Sequence, residues 1–227
     1  MNGGSQLWVV IPAFNEGPVI GDVVRAVRAL YPRVVVVDDC SRDDTGKAAR
    51  SAGAVVLRHP INLGQGAALQ TGIWYALGEG ADLIVTFDAD GQHRVEDIAL
   101  LLDTQSRTSA DVVVGSRFLG RAENIPPRRR MVLKAAVVFT RLTSGVKLTD
   151  AHNGLRLLTR GAAERIRITQ NRMAHASEII EQIRKQHLTV AEAPVSIVYT
   201  EYSLHKGQKL GNAFNVLSEL FVGWLNK

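Results

Sequence analysis

Short apolar runs alternate with longer, more polar segments along the first half of the chain. Five runs of mostly β-branched or aliphatic residues predict strands over residues 7–13, 34–37, 54–57, 83–87 and 111–114, of which the first is expected to be buried on both faces and the second to be buried as well. The intervening segments predict helices over residues 18–30, 46–52, 66–76 and 95–102. Strands separated by helices indicate βαβ units. We therefore expect an α/β, Rossmann-like fold with a largely parallel central sheet flanked by helices.

The composition is that of a globular protein with one large domain. The chain has 227 residues, of which 46% are hydrophobic and 22% charged, and this balance excludes wholesale disorder. A single cysteine, Cys40, excludes an intrachain disulfide framework and favours a reducing compartment. No uncharged apolar run reaches the roughly 18 residues that a membrane-spanning helix needs. We expect a cytoplasmic protein whose main domain covers residues 1–200.

Charge is distributed unevenly along the chain. Residues 117–160 carry ten basic and two acidic side chains, whereas residues 1–116 carry nine basic and fourteen acidic ones. Such a basic segment is either a solvated face or a binding site for an anionic partner, such as a phosphate, a nucleic acid or a lipid surface. Because no nucleic-acid recognition motif appears and the basic residues are not interleaved with exposed aromatic ones, we expect no nucleic-acid partner.

Polar clusters follow three of the predicted strands. They are the segments 12–16 (PAFNE), 38–41 (DDCS) and 88–93 (DADGQH). Ligands of open parallel sheets bind beyond the carboxyl ends of the strands, so these clusters are expected at the ligand-binding edge. Their five carboxylates would repel one another without a cation or a set of hydrogen-bond donors nearby. Each cluster on its own is also typical of a polar turn.

Asp88, Asp90 and Gln92 have the spacing of a metal site. In an extended segment, residues i, i+2 and i+4 point in the same direction. Two carboxylates and an amide oxygen suit a hard cation, Mg²⁺ or Mn²⁺, which keeps open coordination positions for substrate phosphates. His93 is interpreted as a surface residue that follows a turn, with an additional metal ligand as the alternative.

A glycine-rich turn, NLGQG at residues 62–66, precedes the third predicted helix. The N–H groups at a helix N-terminus can bind a phosphate, so Gly66 is a candidate nucleotide-sugar-binding residue. The alternative is that the glycines serve only to reverse the chain. The turn is not a P-loop, because no Gly-Lys-Ser/Thr sequence follows it.

Six motifs together resemble a known family. They are VVIPAFNE, VVVVDDCSRDDT, NLGQGAALQTGI, DLIVTFDADGQH, VVVGSRF and DAHNGLRLL, between residues 7 and 160. In this order and spacing they resemble the family 2 glycosyltransferases of the GT-A fold, and among these the dolichyl- and polyprenyl-phosphate sugar synthases. The resemblance implies a GT-A domain, a nucleotide-sugar donor and inversion at the anomeric carbon.

The resemblance also implies roles for individual residues. Asp88, Asp90 and Gln92 would hold a metal ion that bridges the donor diphosphate, with Asp90 essential for catalysis. Arg117 and Arg129 would bind the acceptor phosphate, because arginine forks match phosphate oxygens. The residues expected around the nucleoside are Pro12, Phe14, Asn15, Glu16, Asp38 and Asp39. Asp88 and Gly66 complete the predicted nucleotide-sugar site.

Two kinds of acceptor fit this pattern. A phosphate monoester is already ionised, so polyprenyl phosphate needs no strong base to attack the sugar. A sugar hydroxyl, as in lipopolysaccharide or polysaccharide assembly, would need one, and Asp150 is then the candidate. The polyprenyl-phosphate branch tends to carry an R-x-x-G-x-S-K-L segment near the C-terminus, and the corresponding segment 202–210 (YSLHKGQKL) lacks the arginine and the serine of that pattern. A nucleotide-sugar-binding scaffold without turnover is the non-enzyme alternative.

Residues 201–227 are predicted to form a separate amphipathic tail. Apolar residues at helical spacing mark one face of it, namely Phe214, Leu217, Leu220, Phe221, Trp224 and Leu225. Such a face can lie in a membrane interface, cover the domain's own core or pack against a second subunit. We expect an enzyme that acts peripherally at the cytoplasmic face of a membrane, and the same tail is compatible with a homodimer.

Overall fold

The structure is a computed structural model of the chain, and it describes residues 6–123, 146, 148–150, 153–171 and 174–198. At residues 121–123 it describes the backbone alone. Arg129 and the tail 201–227 lie outside the described residues. The acceptor-binding role of Arg129 and the amphipathic helix of the tail therefore stay predictions.

The described residues form seven strands and six helices. The strands are β1 (Leu7–Ala13), β2 (Val34–Asp38), β3 (Val55–Arg58), β4 (Leu83–Thr86), β5 (Val112–Glu123), β6 (Arg156–Thr159) and β7 (Val190–Val198). The helices are α1 (Gly17–Leu30), α2 (Thr45–Ser51), α3 (Gln65–Gly78), α4 (Asp97–Thr108), α5 (Arg160–Arg165) and α6 (His175–Lys185). The five predicted strands and four predicted helices are confirmed as β1–β5 and α1–α4, although α4 and β5 are both longer than predicted.

The strands form one sheet in the order β3-β2-β1-β4-β6-β5-β7. Neighbouring strands are parallel except at β6, which runs antiparallel to both β4 and β5. The predicted largely parallel sheet is thus confirmed, but the antiparallel β6 is not among the predicted strands. Because β6 runs opposite to its neighbours, it begins beside the carboxyl end of β4, with Arg156 paired to Thr86 of β4 and to Val114 of β5. It therefore brings the segment that precedes it to the same edge as the polar clusters.

Helices cover both faces of the sheet. On one face α1, α2 and α4 share a core with Val9 and Ile11 of β1, and on the other α3, α5 and α6 share a core with Trp8 and Val10. β1 is therefore buried on both faces, as its uninterrupted apolar run predicts. Each Val, Leu or Ile side chain removed from water contributes about 1.5–3 kcal/mol, and this packing holds the strand ends in fixed positions. Within the described ranges, no helix has the length and apolar character needed to cross a membrane.

Two glycines of α3 provide a matched test of this packing. A Cβ atom at Gly72 would lie 2.3 Å from Cγ1 of Val10 and 3.3 Å from Cγ2 of Val37, whereas a Cβ atom at Gly78 would have no neighbour within 4 Å. We expect Gly72→Ala to lower the free energy of unfolding by about 1–3 kcal/mol, because α3 must move away from β1. Gly78→Ala should leave it unchanged or raise it by up to about 1 kcal/mol. Urea unfolding followed by circular dichroism measures both, and equal effects would contradict the close approach.

Candidate active site

The three polar clusters lie at one edge of the sheet. β1 pairs in parallel with β2 on one side and with β4 on the other, so the carboxyl ends of these strands are neighbours. Pro12 is buried within β1, opposite Val37. Phe14, just beyond the strand, keeps 39% of its surface exposed at this edge. The fold therefore brings the predicted segments together where a ligand of an open sheet binds.

The loops that follow β1 and β2 are hydrogen-bonded to each other. The backbone N–H of Asn15 donates to Ser41 Oγ (2.9 Å), and that of Glu16 donates to Thr45 Oγ1 (2.8 Å). In return, the N–H of Arg42 donates to Asn15 Oδ1 (2.8 Å). Asn15 has a φ of 54°, a left-handed conformation that asparagine tolerates better than most residues. The two segments predicted to surround the nucleoside thus form a single unit.

Asp38 ends β2 and Asp39 follows it, and both carboxylates are buried. Oδ1 of Asp38 accepts a hydrogen bond from the N–H of Ser41 (2.8 Å). Oδ1 of Asp39 accepts from the N–H of Leu63 (2.9 Å), and its Oδ2 accepts from the N–H of Gly64 (2.7 Å). Both carboxylates therefore shape the loops of the predicted nucleoside site. Direct contact between either carboxylate and a nucleoside stays a prediction.

Gly66 lies in the first turn of α3, where it was expected to offer an N–H to a donor phosphate. Its N–H instead donates to the backbone carbonyl of Asn171 (2.8 Å), and a Cβ atom here would lie 2.0 Å from the carbonyl oxygen of Gln170. The glycine thus allows the 170–171 segment to lie against the helix N-terminus. This packing accounts for the residue, and its predicted role in donor binding stays a prediction.

Asp88, two residues beyond β4, is held at both carboxylate oxygens. Gln65 Nε2 donates to Oδ1 (3.2 Å), and His93 Nε2 lies 3.0 Å from Oδ2. Burial raises the pKa of Asp88. The hydrogen bond and charge of His93, followed by the charges of Arg156 and His175, lower it by more than burial raises it. The pKa of Asp88 therefore lies below its usual range. This carboxylate is oriented and ionised by the protein itself.

Gly154, just before β6, makes room for the Asp88 carboxylate. A Cβ atom at Gly154 would lie 2.1 Å from Oδ2 of Asp88 and 2.4 Å from its Cγ. The carbonyl of Gly154 accepts a hydrogen bond from Thr86 Oγ1 (2.7 Å), which fixes the backbone at this point. The glycine of the DAHNGLRLL motif is thus required by the carboxylate that it contacts.

The segment from Asp88 to Gln92 is a turn, so the prediction that an extended conformation aligns these side chains is wrong. The chain reverses at Gly91, whose φ is 72°, and Asp90 Oδ1 accepts from the N–H of Gln92 (3.1 Å). The carbonyl of Gln92 accepts in turn from the N–H of Val198 on β7 (3.0 Å). It is the turn that brings Asp90 towards Asp88. The metal-binding role of Gln92 stays a prediction.

Asp90 is the member of the acidic pair whose ionised form is destabilised. Burial, the negative charge of Asp88 and, more weakly, that of Glu16 raise the pKa of Asp90 to about 6. The Asp88 and Asp90 carboxylates resist being ionised together, because like charges in a partly buried site repel each other strongly. A cation between them would remove that repulsion.

His93 is buried, so its interpretation as a surface residue is wrong. Its ring contacts Phe87 edge to face, with 5.5 Å between ring centroids, and its backbone forms a bridge with Ile197 of β7. Because Nε2 faces Asp88, that nitrogen is engaged, and Nδ1 finds no hydrogen-bond partner among the described residues. β7 draws the residue inward, and it supports Asp88.

The donor atoms of this cluster fit a hard cation. Across the described ranges, no three or more His, Cys, Asp or Glu side chains are grouped so that they could hold a metal ion. The turn supplies the carboxylates of Asp88 and Asp90, and the side-chain amide of Gln92 is the predicted third ligand. A small set of oxygen ligands suits Mg²⁺ or Mn²⁺, which keep waters or phosphate oxygens in their remaining positions.

Arg117 and Asp150, predicted separately, form a buried ion pair. Arg117 lies in β5, and Asp150 belongs to the segment that precedes β6. Arg117 Nε donates to Asp150 Oδ2 (2.6 Å), and the backbone N–H of Arg117 donates to the same oxygen (3.1 Å). Asp150 is 1% exposed and Arg117 8% exposed. The carboxylate proposed as a base for a sugar hydroxyl is thus engaged by the arginine proposed to bind a phosphate.

Two charged residues of this region are absent from the predicted site. Arg156 begins β6, is 2% exposed, and has no hydrogen-bond partner at Nε or Nη1 among the described residues. Burial lowers the pKa of Arg156, while the charges of Asp88 and Asp150 act in the opposite direction. Glu192 of β7 accepts hydrogen bonds from Thr149 and Asp150. The available sequence signal was a charged residue inside an apolar strand-like run, as in LRLL and EAPV.

Comparison with known proteins assigns a family. Residues 8–167 match the model of glycosyl transferase family 2. The chain is 36% identical to the uncharacterized protein MJ1222 of Methanocaldococcus jannaschii, over 96% of this chain and 91% of that protein. It is 30% identical to the UDP-N-acetylglucosamine–dolichyl-phosphate N-acetylglucosaminyltransferase of Methanococcus voltae, over 95% of each chain. It is 34% identical to the polyprenol monophosphomannose synthase of Mycolicibacterium smegmatis, over 70% of this chain and 63% of that one.

Solved structures agree on the fold. The glucosyl-3-phosphoglycerate synthase of Mycobacterium tuberculosis superimposes with a TM-score of 0.76 at 18% sequence identity, over 98% of this chain and 80% of that one. A crystal structure of that enzyme with Mn²⁺, UDP-glucose and phosphoglyceric acid gives a TM-score of 0.74 at 16% identity, over 98% and 79% of the two chains. At this level of identity the likeness establishes the GT-A fold alone.

The raised pKa of Asp90 leads to a stability prediction. An aspartate has a pKa of about 3.9 in an unfolded chain. Because the folded pKa is about 6, ionised Asp90 destabilises the fold increasingly as the pH rises from about 4 to about 6, and fully above that. We expect Asp90→Asn to raise the free energy of unfolding in EDTA by about 1–2 kcal/mol at pH 7.5, and by less at pH 4.5, since the side chain is partly exposed.

The control is Asp103→Asn, which removes an exposed carboxylate paired with Arg107 and should change stability by about 0.5 kcal/mol or less. Urea unfolding at the two pH values measures both variants. A destabilised Asp90→Asn protein at pH 7.5 would show that the ionised Asp90 carboxylate does not destabilise the fold.

Proposed function

The chain belongs to glycosyl transferase family 2, and on this premise we propose that it transfers a hexose or a related sugar from a nucleoside-diphosphate sugar to polyprenyl phosphate. The names of two relatives support this acceptor. The Methanococcus voltae transferase is named for dolichyl phosphate, and the Mycolicibacterium smegmatis synthase for polyprenol monophosphomannose. Both names describe a sugar joined to a polyprenyl-type phosphate.

The observation that carries the acceptor assignment is the buried pair of Arg117 and Asp150. A guanidinium is charged at all accessible pH values and presents a planar fork that suits phosphate oxygens. Its partner Asp150 already accepts two N–H groups of Arg117, which is unfavourable for a base that must take a proton from a hydroxyl. A phosphate acceptor requires no such base. The pair thus supports a phosphate acceptor over a sugar hydroxyl.

At the donor end, Asp88, Asp90 and Gln92 would hold Mg²⁺ or Mn²⁺. The bound cation would offset the negative charge that develops on the nucleoside-diphosphate leaving group. Gln65 and His93 hold Asp88 in place, so this carboxylate is oriented before any ligand binds. The Mn²⁺ and UDP-glucose present in the crystallised Mycobacterium tuberculosis enzyme support a divalent cation for this fold.

We propose direct displacement with inversion at the anomeric carbon. An oxygen of the acceptor phosphate attacks the face opposite the leaving diphosphate, while the sugar passes through an oxocarbenium-like state. Two anions must approach each other in this step, so fixed positive charge beside the acceptor lowers the barrier. Arg117 supplies that charge and, by the sequence prediction, so does Arg129.

The chemistry of the acceptor also determines where the enzyme acts. The hydrocarbon chain of a polyprenyl phosphate lies in a bilayer, whereas a nucleotide sugar is soluble in water. We propose a peripheral enzyme at the cytoplasmic face of a membrane, with the predicted amphipathic tail 201–227 at the interface. The same tail is the predicted contact of a homodimer.

The first test is a transfer assay with the purified protein. It uses labelled nucleotide sugars, polyprenyl phosphate in detergent, and Mn²⁺ or Mg²⁺, and it measures label in an acid-labile lipid. We expect transfer that EDTA abolishes, and its loss in Asp90→Ala with an unchanged circular dichroism spectrum. Label on an added glycan, with none on the lipid, would favour the hydroxyl acceptor. Donor binding without turnover would favour the scaffold, and full activity of Asp90→Ala would overturn the metal site.

The second test separates the two ends of the site. Arg117→Ala removes the guanidinium that we assign to the acceptor phosphate, so the KM for polyprenyl phosphate should rise about tenfold or more, the equivalent of one charge-assisted hydrogen bond. The KM for the donor should stay within about twofold. Arg25→Ala, which removes an exposed arginine paired with Asp22, is the control and should change neither KM. A selective rise in the donor KM would refute the assignment.

A further inference from the structure

We propose that Glu192 is a positioning residue of the acceptor site, which sets the guanidinium of Arg117 through Asp150. The inference rests on the proposed role of Arg117 at the acceptor phosphate. Glu192 belongs to β7 and pairs with Val114 of the parallel neighbour β5. Val114 precedes Arg117 by three residues along β5. Glu192 reaches the site from the edge strand of the sheet.

The first link joins Glu192 to the segment before β6. Its carboxylate accepts from the backbone N–H of Thr149, with oxygen distances of 2.8 and 2.9 Å. Oε1 also accepts from Thr149 Oγ1 (2.8 Å) and from the backbone N–H of Asp150 (3.1 Å). Two consecutive residues are thus held by one carboxylate, and charge-assisted bonds of this kind are about twice as strong as neutral ones.

The second link joins Asp150 to Arg117. The same oxygen, Oδ2, accepts from Arg117 Nε (2.6 Å) and from the backbone N–H of Arg117 (3.1 Å). It therefore fixes both the strand position and the near end of the guanidinium. Because the Asp150 backbone is bound to Glu192, a displacement of that backbone displaces the oxygen that orients Arg117.

A third connection shows that the hydrogen bonds of this network all donate in one direction. The N–H of Leu119 donates to Ser116 Oγ (3.2 Å), and Ser116 Oγ lies 2.6 Å from Thr149 Oγ1. Because the Thr149 hydroxyl donates its proton to Glu192, Ser116 must be the donor to Thr149. Each donor in this series of hydrogen bonds donates towards Glu192, so the Glu192 carboxylate is the terminal acceptor. An amide in its place would present a donor to groups that are themselves donors.

A similar contact, in which one carboxylate binds a threonine, lies just before the same two strands and far from the site. We call each of these two contacts a clamp. Near the start of β5, Asp111 Oδ2 accepts from the N–H (2.8 Å) and the Oγ1 (2.7 Å) of Thr189. Asp111 lies six residues before Arg117, at the opposite edge of the sheet from the polar clusters. Both clamps hold a threonine through its N–H and hydroxyl, but only that of Glu192 leads to Arg117.

The experiment compares Glu192→Gln with Asp111→Asn in the transfer assay. Each variant replaces a carboxylate acceptor by an amide, and both should lower the melting temperature by a few degrees. We expect Glu192→Gln to raise the KM for polyprenyl phosphate about tenfold, as for one charge-assisted hydrogen bond. Its donor KM and its Mn²⁺ affinity, measured by electron paramagnetic resonance, should stay within about twofold. Asp111→Asn should change none of these three quantities.

A double-mutant cycle tests the route through Arg117. In an Arg117→Ala background, Glu192→Gln should have no further effect on the acceptor KM, because the guanidinium that it orients is gone. The inference is overturned if the tenfold rise persists in that background, or if Glu192→Gln and Asp111→Asn behave alike. Should Glu192→Gln fail to fold, Glu192→Asp, which keeps the charge but shortens the reach, must raise the acceptor KM for the inference to stand.

The wild-type assay separates this inference from the proposed function. Absence of wild-type transfer to polyprenyl phosphate, with transfer to a hydroxyl acceptor, would overturn the function and this inference with it. Wild-type transfer to polyprenyl phosphate, with an unchanged acceptor KM in Glu192→Gln, would overturn the inference alone.

Discussion

Buried charge at one edge of an otherwise apolar sheet is the constraint on which the rest of the structure depends. Asp150, Arg117 and Arg156 are all removed from water. Removing a single ion from water costs several kcal/mol even after the protein relaxes, so none of these groups can be buried alone. Arg117 is paired with Asp150, and Arg156 is balanced by the charges of Asp88 and Asp150. The antiparallel strand β6 makes this balance possible, because it begins beside the carboxyl end of β4 with the cation Arg156, and the segment that precedes it carries the anion Asp150.

The backbone around this edge is adapted to the same requirement. Gly154 is needed because the Asp88 carboxylate occupies the space of a Cβ atom, and Gly66 because a neighbouring carbonyl does. Asp38 and Asp39 use their carboxylates to hold loops, so acidic residues that looked alike in the sequence serve different ends. Asp88 is stabilised in its ionised form and Asp90 is destabilised in it, although the two are separated by one residue. The environment of each carboxylate, and not its residue type, determines whether its ionised form is stabilised here.

The sequence predicts one half of the sheet far better than the other. The strands β1, β2 and β4 contain uninterrupted apolar runs that are largely buried, and the polar residues that follow these three strands were correctly expected at one edge. β6 is four residues long and includes a buried arginine, and β7 carries a glutamate, so neither has the apolar pattern of the earlier strands. The residues Asp88, Asp90, Arg117 and Asp150 stood out by type and motif. The contacts that they make did not. Arg117–Asp150 and Thr149–Glu192 join residues 33 and 43 positions apart, and local periodicity carries no information about such contacts.

The two halves of the proposed reaction are supported by different parts of the chain. The donor side is assigned to the loops after β1, β2 and β4, and the first two of these are bound to each other by side-chain to backbone hydrogen bonds. The acceptor side is built across β5, β6 and β7, with Glu192 and Asp150 behind Arg117. Arg156 is common to both, because the charges of Asp88 on the donor side and of Asp150 on the acceptor side both act on its buried guanidinium. One buried cation thus serves as a counter-charge to a carboxylate on each side. Transfer between a diphosphate and a phosphate, which requires both anions to be compensated at once, is the chemistry that such an arrangement suits.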